Sequence, residues 1–452
     1  MNDPGADSQA SGPKGWPFLG NMLEARRAPL AFTDRLSQDF GPVAAFHLGP
    51  YRGYLVSHPH GVRHVLQDNH RNYDKQNYDY EMLRPFLGDG LITSDGEHWL
   101  RERRLIQPAF HKDHLATLAN TINRSTQRML DSWDARSGRA LAITQEMNRL
   151  ALINVSKGVL GAEVEAEGDR ILRAFSVLNR EVARRFQSIL PLPLWIPSPT
   201  NLKARNAIAK IDQALESYLQ RAADEGLHHG MLRLLFQAHG GEAGDKADKQ
   251  LIRDELATMI LAGHETTGSL LSWTWYLLAK HETTADRVYQ EVDHILAGRL
   301  PNYTDLPNLV FLESVLKEAL RLYPPVWIIS RRAKRKDQVL GRHIPEDSVV
   351  ILSPYATHRL PDYWEAPDRF MPERFSRGAE EARPPFAYFP FGGGPRYCIG
   401  ADFAMMETKM VVASVVQRFR LELAGETTVR PEAMVTLRPR GRLLMNAIPV
   451  SS

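Results

Sequence analysis

The sequence predicts a mainly α-helical domain with a minor β component, and three observations carry that expectation. Helical spacing of apolar residues dominates from about Gly61 to Lys280. Within it, one amphipathic pattern from Lys249 to Lys280 is long enough to cross most of a domain at ~1.5 Å per residue. Strand-like alternation is confined to short runs. The chain has 452 residues, 43% of them hydrophobic, which is ample for one large core. No linker, charge block or repeat divides it, so the expected organisation is a flexible tail over residues 1–15 and a single domain over residues 16–452.

The stretch from Met1 to Trp16 is rich in Gly, Pro, Ser and Asp. It lacks the apolar core of a secretory signal and an apolar run of membrane-spanning length, so a cytoplasmic protein with no transmembrane anchor is expected. Val43 to Leu48 and Tyr51 to Val56 alternate in polarity and are joined at Gly49-Pro50, a hairpin signal. The helical stretch is broken at Pro85 to Gly90. It breaks again at Pro191 to Pro199, where four prolines bracket Leu192, Leu194, Trp195 and Ile196. The long pattern has a buried stripe through Leu251, Ile252, Leu256, Met259, Ile260, Leu270, Leu271, Leu277 and Leu278. A second helix, Leu309 to Leu322, is stopped by Pro324-Pro325. Short strands follow at Gln338 to Leu340 and Ser348 to Leu352, and a last helix runs from Asp402 to Phe419.

Basic and acidic residues nearly balance, 56 against 53, and form no polycationic arm, which argues against a nucleic-acid partner. Cys398 is the only cysteine, so internal disulfides and zinc sites built from several thiolates are excluded. A lone cysteine is more often a small buried hydrophobe than a ligand, but the surroundings of Cys398 reverse that preference. It lies in Phe391-Gly-Gly-Gly-Pro-Arg-Tyr-Cys-Ile-Gly400, just before the last helix. Consecutive glycines let backbone lie flat against a planar ligand and offer N–H groups to a thiolate. Arg396 and the helix N-terminus favour the ionised sulfur. No Gly-Lys-Ser/Thr follows, which argues against a phosphate loop.

Inside the long helix lies Ala262-Gly-His-Glu-Thr-Thr267. Glycine and threonine are poor mid-helix residues, so a local bend is expected there. A carboxylate next to a hydroxyl can relay protons where bulk water is kept out. A zinc-peptidase helix is excluded by spacing, because the fourth residue after His264 is Gly268 and the fourth after His281 is Ala285.

The cysteine segment satisfies Phe-x-x-Gly-x-Arg-x-Cys-x-Gly at every fixed position and resembles the haem-binding loop of the cytochrome P-450 superfamily, of the soluble bacterial type. That resemblance implies a single large helical domain with a small β-rich region, a long central helix, and haem b as cofactor. It makes Cys398 the axial thiolate, with Phe391, Gly392, Arg396 and Gly400 around the cofactor. Gly263, Glu265 and Thr266 then form the oxygen-activating step. Trp99 and Arg103, four apart on one helix face, hold propionates together with Arg396 and Arg332. Glu318, Arg321 and Arg374 resemble a structural triad behind the cysteine loop. The implied substrate pocket draws on Tyr73 to Ile92, Phe175 to Trp195, the helix near Met259, Val326 to Ile329 and Met434 to Leu437. Leu83, Phe86, Leu87, Ala262, Val326, Trp327 and Ile328 make it apolar.

The implied activity is a monooxygenase that uses O2 and two electrons to hydroxylate or epoxidise a lipophilic molecule such as a terpenoid, fatty acid or steroid. The sequence contains no flavin or iron–sulfur module, so a separate ferredoxin or flavodoxin with its NAD(P)H reductase is expected. Arg101, Arg104 and the run Arg331 to Lys336 are its candidate basic docking face. A haem-thiolate lyase, isomerase or peroxygenase and a non-catalytic haem sensor are the alternatives, and the intact Glu265-Thr266 pair favours oxygen activation over both.

Overall fold

The computed structural model describes residues 9–136, 138–160, 165–187, 192–224, 230–239, 246–425 and 428–450. They fall into two compact units, Met1–Met82 with Leu320–Cys398, and Leu83–Ala319 with Ile399–Ser452.

The first unit is built on a five-stranded sheet in the order Val43–Leu48, Tyr51–Val56, Val349–Leu352, Ile329–Ala333, Tyr73–Asp74. The expected hairpin forms with Val43 opposite Val56 and Leu48 opposite Tyr51. Tyr51–Val56 then runs parallel to Val349–Leu352, and the remaining pairs are antiparallel. One face of the sheet buries Val43, Tyr54, Val56, Val350 and Leu352 with Val65, Leu66 and Phe389. A side hairpin pairs Asp337–Val339 with Arg342–Ile344. Its two-residue turn puts both Leu340 and Gly341 at positive φ, 50° and 74°, which matches the right-handed strand twist. Of the expected tail, residues 1–8 lie outside the described residues. Ser11 and Gly12 rest on the first strand, where Ala45 N–H donates to the Ser11 carbonyl at 2.8 Å.

This unit also shows what Arg321 and Arg374 do. Arg321 is fully buried, and its guanidinium donates to the carbonyls of His358 (2.9 Å), Pro367 (2.7 Å) and Arg369 (3.1 Å). Arg374 donates to the carbonyl of Ala366 at 2.9 Å, in the same segment. The buried His358 ring accepts the Phe389 N–H at 2.9 Å, and the Phe389 carbonyl accepts the Gly392 N–H at 3.0 Å. A chain of hydrogen bonds therefore runs from Arg321 to the cysteine loop. Burial and the neighbouring arginines hold His358 well below the usual histidine range, so it stays a neutral acceptor.

The second unit is helical. Its axis is the helix Lys246–Lys280, which is α-helical through Ala262-Thr267. Ile143–Asn154 and the adjoining Val155 pack against it at very close range, and two glycines make this possible. A Cβ at Gly263 would lie 2.6 Å from Val155 Cγ2, and one at Gly268 would lie 1.9 Å from Asn148 Oδ1. The helix after the cysteine loop, Ala401–Val416, is buried along its length from residue 406. A three-stranded sheet closes the unit in the order Leu141–Ala142, Leu444–Pro449, Phe419–Leu423, beside the hairpin Pro431–Ala433 and Leu437–Pro439.

Two boundaries differ from expectation. Pro85 does not end a helix but sits in the last turn of Tyr78–Leu87. Side chains of the long helix hold that turn and the loop after it: Arg253 donates to the Phe86 carbonyl at 3.1 Å and Asp254 accepts the Asp89 N–H at 3.0 Å. Phe419 opens a strand instead of closing the last helix, because its backbone pairs with Pro449. Among the described residues no helix is long and apolar enough to cross a membrane.

Candidate active site

Cys398 belongs to the first unit, and its side chain is exposed. The loop carrying it closes on itself where Cys398 N–H donates to the Phe391 carbonyl at 3.0 Å. The three glycines have separate reasons. Any side chain at Gly394, whose φ is 63°, would strike the Leu66 carbonyl oxygen at 1.9 Å, and one at Gly393 would strike the Phe386 ring at 2.2 Å. Those two therefore seat the loop against protein. Only Gly392, with φ 72°, has no neighbour closer than an ordinary van der Waals contact, Ile329 at 3.7 Å. A single exposed, soft thiolate donor on a loop that presents bare backbone suits a planar group bound through one sulfur–iron bond. The residues present thus fit a thiolate-ligated haem.

The acid–alcohol step lies in the second unit. From residue 254 to residue 278 the long helix is buried at every position except Leu261, Ala262, Gly263 and Thr266. The opening coincides with the expected step. Thr266 Oγ1 donates to the Ala262 carbonyl at 2.6 Å, so its proton is held by the helix and its lone pairs remain to accept from a ligand. Glu265 points elsewhere. It is 8% exposed, and Oε1 accepts from Asn179 Nδ2 and from Thr436 Oγ1, the latter at 2.9 Å. Burial pushes this carboxyl above the usual range, against the pull of those hydrogen bonds and of Arg438. His264 is also buried; Ile260 O lies 2.6 Å from its Nδ1, and burial lowers it to about 4, leaving it neutral.

Trp99 is buried and Arg103 half-buried on Gly96–Ile106, one turn apart as expected, in the second unit. In the same unit Phe86, Leu87 and Met259 are buried, whereas Leu83 and Ala262 are partly open. In the first unit Trp327 is buried, Ile328 is half-buried and Val326 is exposed. Arg396 is half-buried at the end of the turn Gly394–Arg396. Glu318 is fully buried and Gly400 half-buried. Arg332 needs a different reading. Its guanidinium pairs with Asp74 through Nε at 3.1 Å and Nη2 at 2.7 Å and also reaches Gln76, so it ties the edge strand Tyr73–Asp74 to its neighbour. Arg331 likewise leaves the expected docking run: it is buried and donates to Tyr80 Oη at 3.0 Å. Lys334, Arg335 and Lys336 are exposed.

A second buried carboxyl escaped sequence reading. Glu407 on Ala401–Val416 is fully buried; Oε1 accepts Asn154 Nδ2 at 2.8 Å, and Asn154 in turn accepts Ser125 Oγ. Its other oxygen has no hydrogen-bond partner among the described residues. Burial raises it from 4.5 to about 8, so the fold favours its protonated form. The raised pKa makes its contribution to stability complete below about 4.5, and that contribution is lost as pH rises through about 8. The loss is about 1.4 kcal/mol per pH unit inside that window. Glu407→Gln is expected to flatten this share of the decline in unfolding midpoints measured from pH 5 to 9. An unchanged slope would show that Glu407 ionises freely in the fold.

A thiol able to bind iron and an open alcohol step beside a buried acid are the chemical parts of an oxygen-activating haem protein. Comparison supplies the class: the family model for cytochrome P450 matches residues 10–445, and the chain belongs to the cytochrome P450 family. It is a haem b monooxygenase that acts with O2 and a redox partner on a lipophilic small molecule. The chain is 35% identical over 431 residues to cyclooctatin synthase of Streptomyces melanosporofaciens, covering 94% of this chain and 92% of that one. It is 33% identical to cyclooctat-9-en-7-ol 5-monooxygenase of the same organism, over 91% and 89% of the two chains. It is 29% identical to pentalenene oxygenase of Streptomyces avermitilis, over 94% of each.

Proposed function

We propose that this enzyme hydroxylates or epoxidises a terpenoid hydrocarbon or alcohol, with haem held through the Cys398 thiolate. The observation that carries the reading is the opening at Ala262, Gly263 and Thr266 in an otherwise buried helix, with the Glu265 carboxyl enclosed next to it. When bound, the haem activates dioxygen so that one oxygen atom enters a C–H or C=C bond. Trp99, Arg103 and Arg396 hold its propionates; Arg332, engaged by Asp74, is left out of that set. Thr266 offers hydroxyl lone pairs at the opening, and Glu265 stores a proton one residue away. Leu83, Ala262, Val326 and Ile328, none of them buried, are assigned to the apolar substrate.

The relatives named for pentalenene and for cyclooctat-9-en-7-ol support a terpenoid over a fatty acid or steroid. Electrons come from a separate ferredoxin or flavodoxin with its NAD(P)H reductase, for which the exposed Lys334, Arg335 and Lys336 and the exposed Arg101 and Arg104 are candidate contacts.

The test is a spin-state titration of the ferric protein with terpenoid, fatty-acid and steroid panels, followed by product analysis with surrogate redox partners. Spin conversion and oxidation confined to fatty acids or steroids would overturn the terpenoid assignment. Positioned proton transfer contributes roughly 10²–10⁴-fold in enzymes, so Thr266→Ala is expected to cut product formed per NAD(P)H consumed at least about tenfold. Wild-type coupling in that variant would remove Thr266 from the reaction.

A further inference from the structure

The partners of Glu265 carry information that the acid itself does not. Oε1 accepts from Asn179 on Glu165–Gln187 and from Thr436 just before Leu437–Pro439, and both partners are 5% exposed. Neither is charged. An arginine or lysine there would hold the carboxyl ionised, and an apolar wall would hold it protonated. A carboxamide and a hydroxyl can each donate or accept a hydrogen bond, so they serve either state. A second observation points the same way: Asn179 Oδ1 is buried and has no hydrogen-bond partner among the described residues. A half-turn of the amide would bring that acceptor to a protonated Glu265, and rotation of the Thr436 hydroxyl would do the same at its own contact.

We propose that Asn179 and Thr436 are positioning residues that form a neutral, reversible cradle, letting Glu265 take up and release the reaction's proton without leaving a buried group unpaired. The inference rests on the reading of Glu265 as the proton carrier. The charged groups around the cradle are already engaged. Arg438 pairs with Glu432 at 3.0 Å, Arg184 with Glu181 at 2.8 Å, and Arg185 donates to Asn201 at 2.6 Å. On the long helix itself the neighbouring His264 is neutral. Burial opposes ionisation of Glu265 and Arg438 favours it, and the cradle adds the two uncharged contacts that can hold the carboxyl in either state.

The experiment measures product per NAD(P)H from pH 6 to 9 in the haem-loaded wild type and in E265Q, N179L, N179D, T436V and T436S. Removing a donor to the carboxylate raises the pKa of Glu265. N179L and T436V are thus expected to lower coupling about tenfold at neutral pH, to move the pH limb upward and to keep the rate of NAD(P)H consumption. T436S, which keeps the hydroxyl, is expected to match the wild type. N179D, of the same size as asparagine, covers the case in which N179L does not fold, and its added negative charge also moves the limb upward. Wild-type coupling and an unmoved limb in N179D and T436V, with E265Q uncoupled, would overturn the cradle and leave Glu265 in its role. Wild-type coupling in E265Q itself would instead overturn the reading beneath it.

Discussion

Cys398→Ser is expected to abolish both the strongly red-shifted Soret band of the reduced, carbon monoxide-bound protein and its turnover. The replacement is nearly isosteric, and the side chain is exposed, so the fold loses little. The chemistry changes completely: a soft, ionisable donor becomes a hard alcohol that stays protonated at neutral pH and cannot push electron density onto iron. Loss of a residue that merely supports a metal ligand costs ~10–100-fold; loss of the ligand should exceed about 100-fold. Turnover is read with a surrogate redox partner, and the thermal midpoint of the protein is recorded alongside it. A variant that keeps the red-shifted band would disprove thiolate ligation at this position.

The second large effect falls on folding. Arg321→Ala removes a buried cation that donates to three carbonyls, those of His358, Pro367 and Arg369, and lies 5.0 Å above the Trp364 ring. Each buried acceptor left without a donor costs ~1–3 kcal/mol, and three are affected. That is a large part of the total stability of an ordinary protein, about 5–15 kcal/mol. The expected result is loss of most soluble, haem-loaded protein, with Arg321→Lys restoring only part because an ammonium lacks the planar fork. Expression yield and unfolding midpoints decide it. An alanine variant within about 1 kcal/mol of the wild type would show that the surrounding carbonyls find other donors.

The hairpin Val43–Leu48 with Tyr51–Val56 was legible to the residue because alternation and a turn signal are both local. The long helix and the two motifs were legible for the same reason. What stayed hidden depends on distant partners. Asn179 and Thr436 lie 86 and 171 residues from Glu265 in sequence, and neither a lone amide nor a lone hydroxyl carries a pattern. Glu407 reads in sequence as an ordinary helix carboxylate, and only its burial makes it a proton holder. The partner of Arg332 was equally hidden: Asp74, which its guanidinium engages, lies 258 residues away in sequence. The C-terminal strands were missed because they are short and their pairing reaches back to Leu141–Ala142.

Gly263 and Ala262 are neighbours with opposite duties. A side chain at the first would strike Val155, while the second, one of the four positions between residues 254 and 278 that are not buried, already carries one. On the proposed assignment of Ala262 to the substrate, exchange at that residue would change the space offered to it without disturbing the packing at Val155, provided Gly263 stays bare.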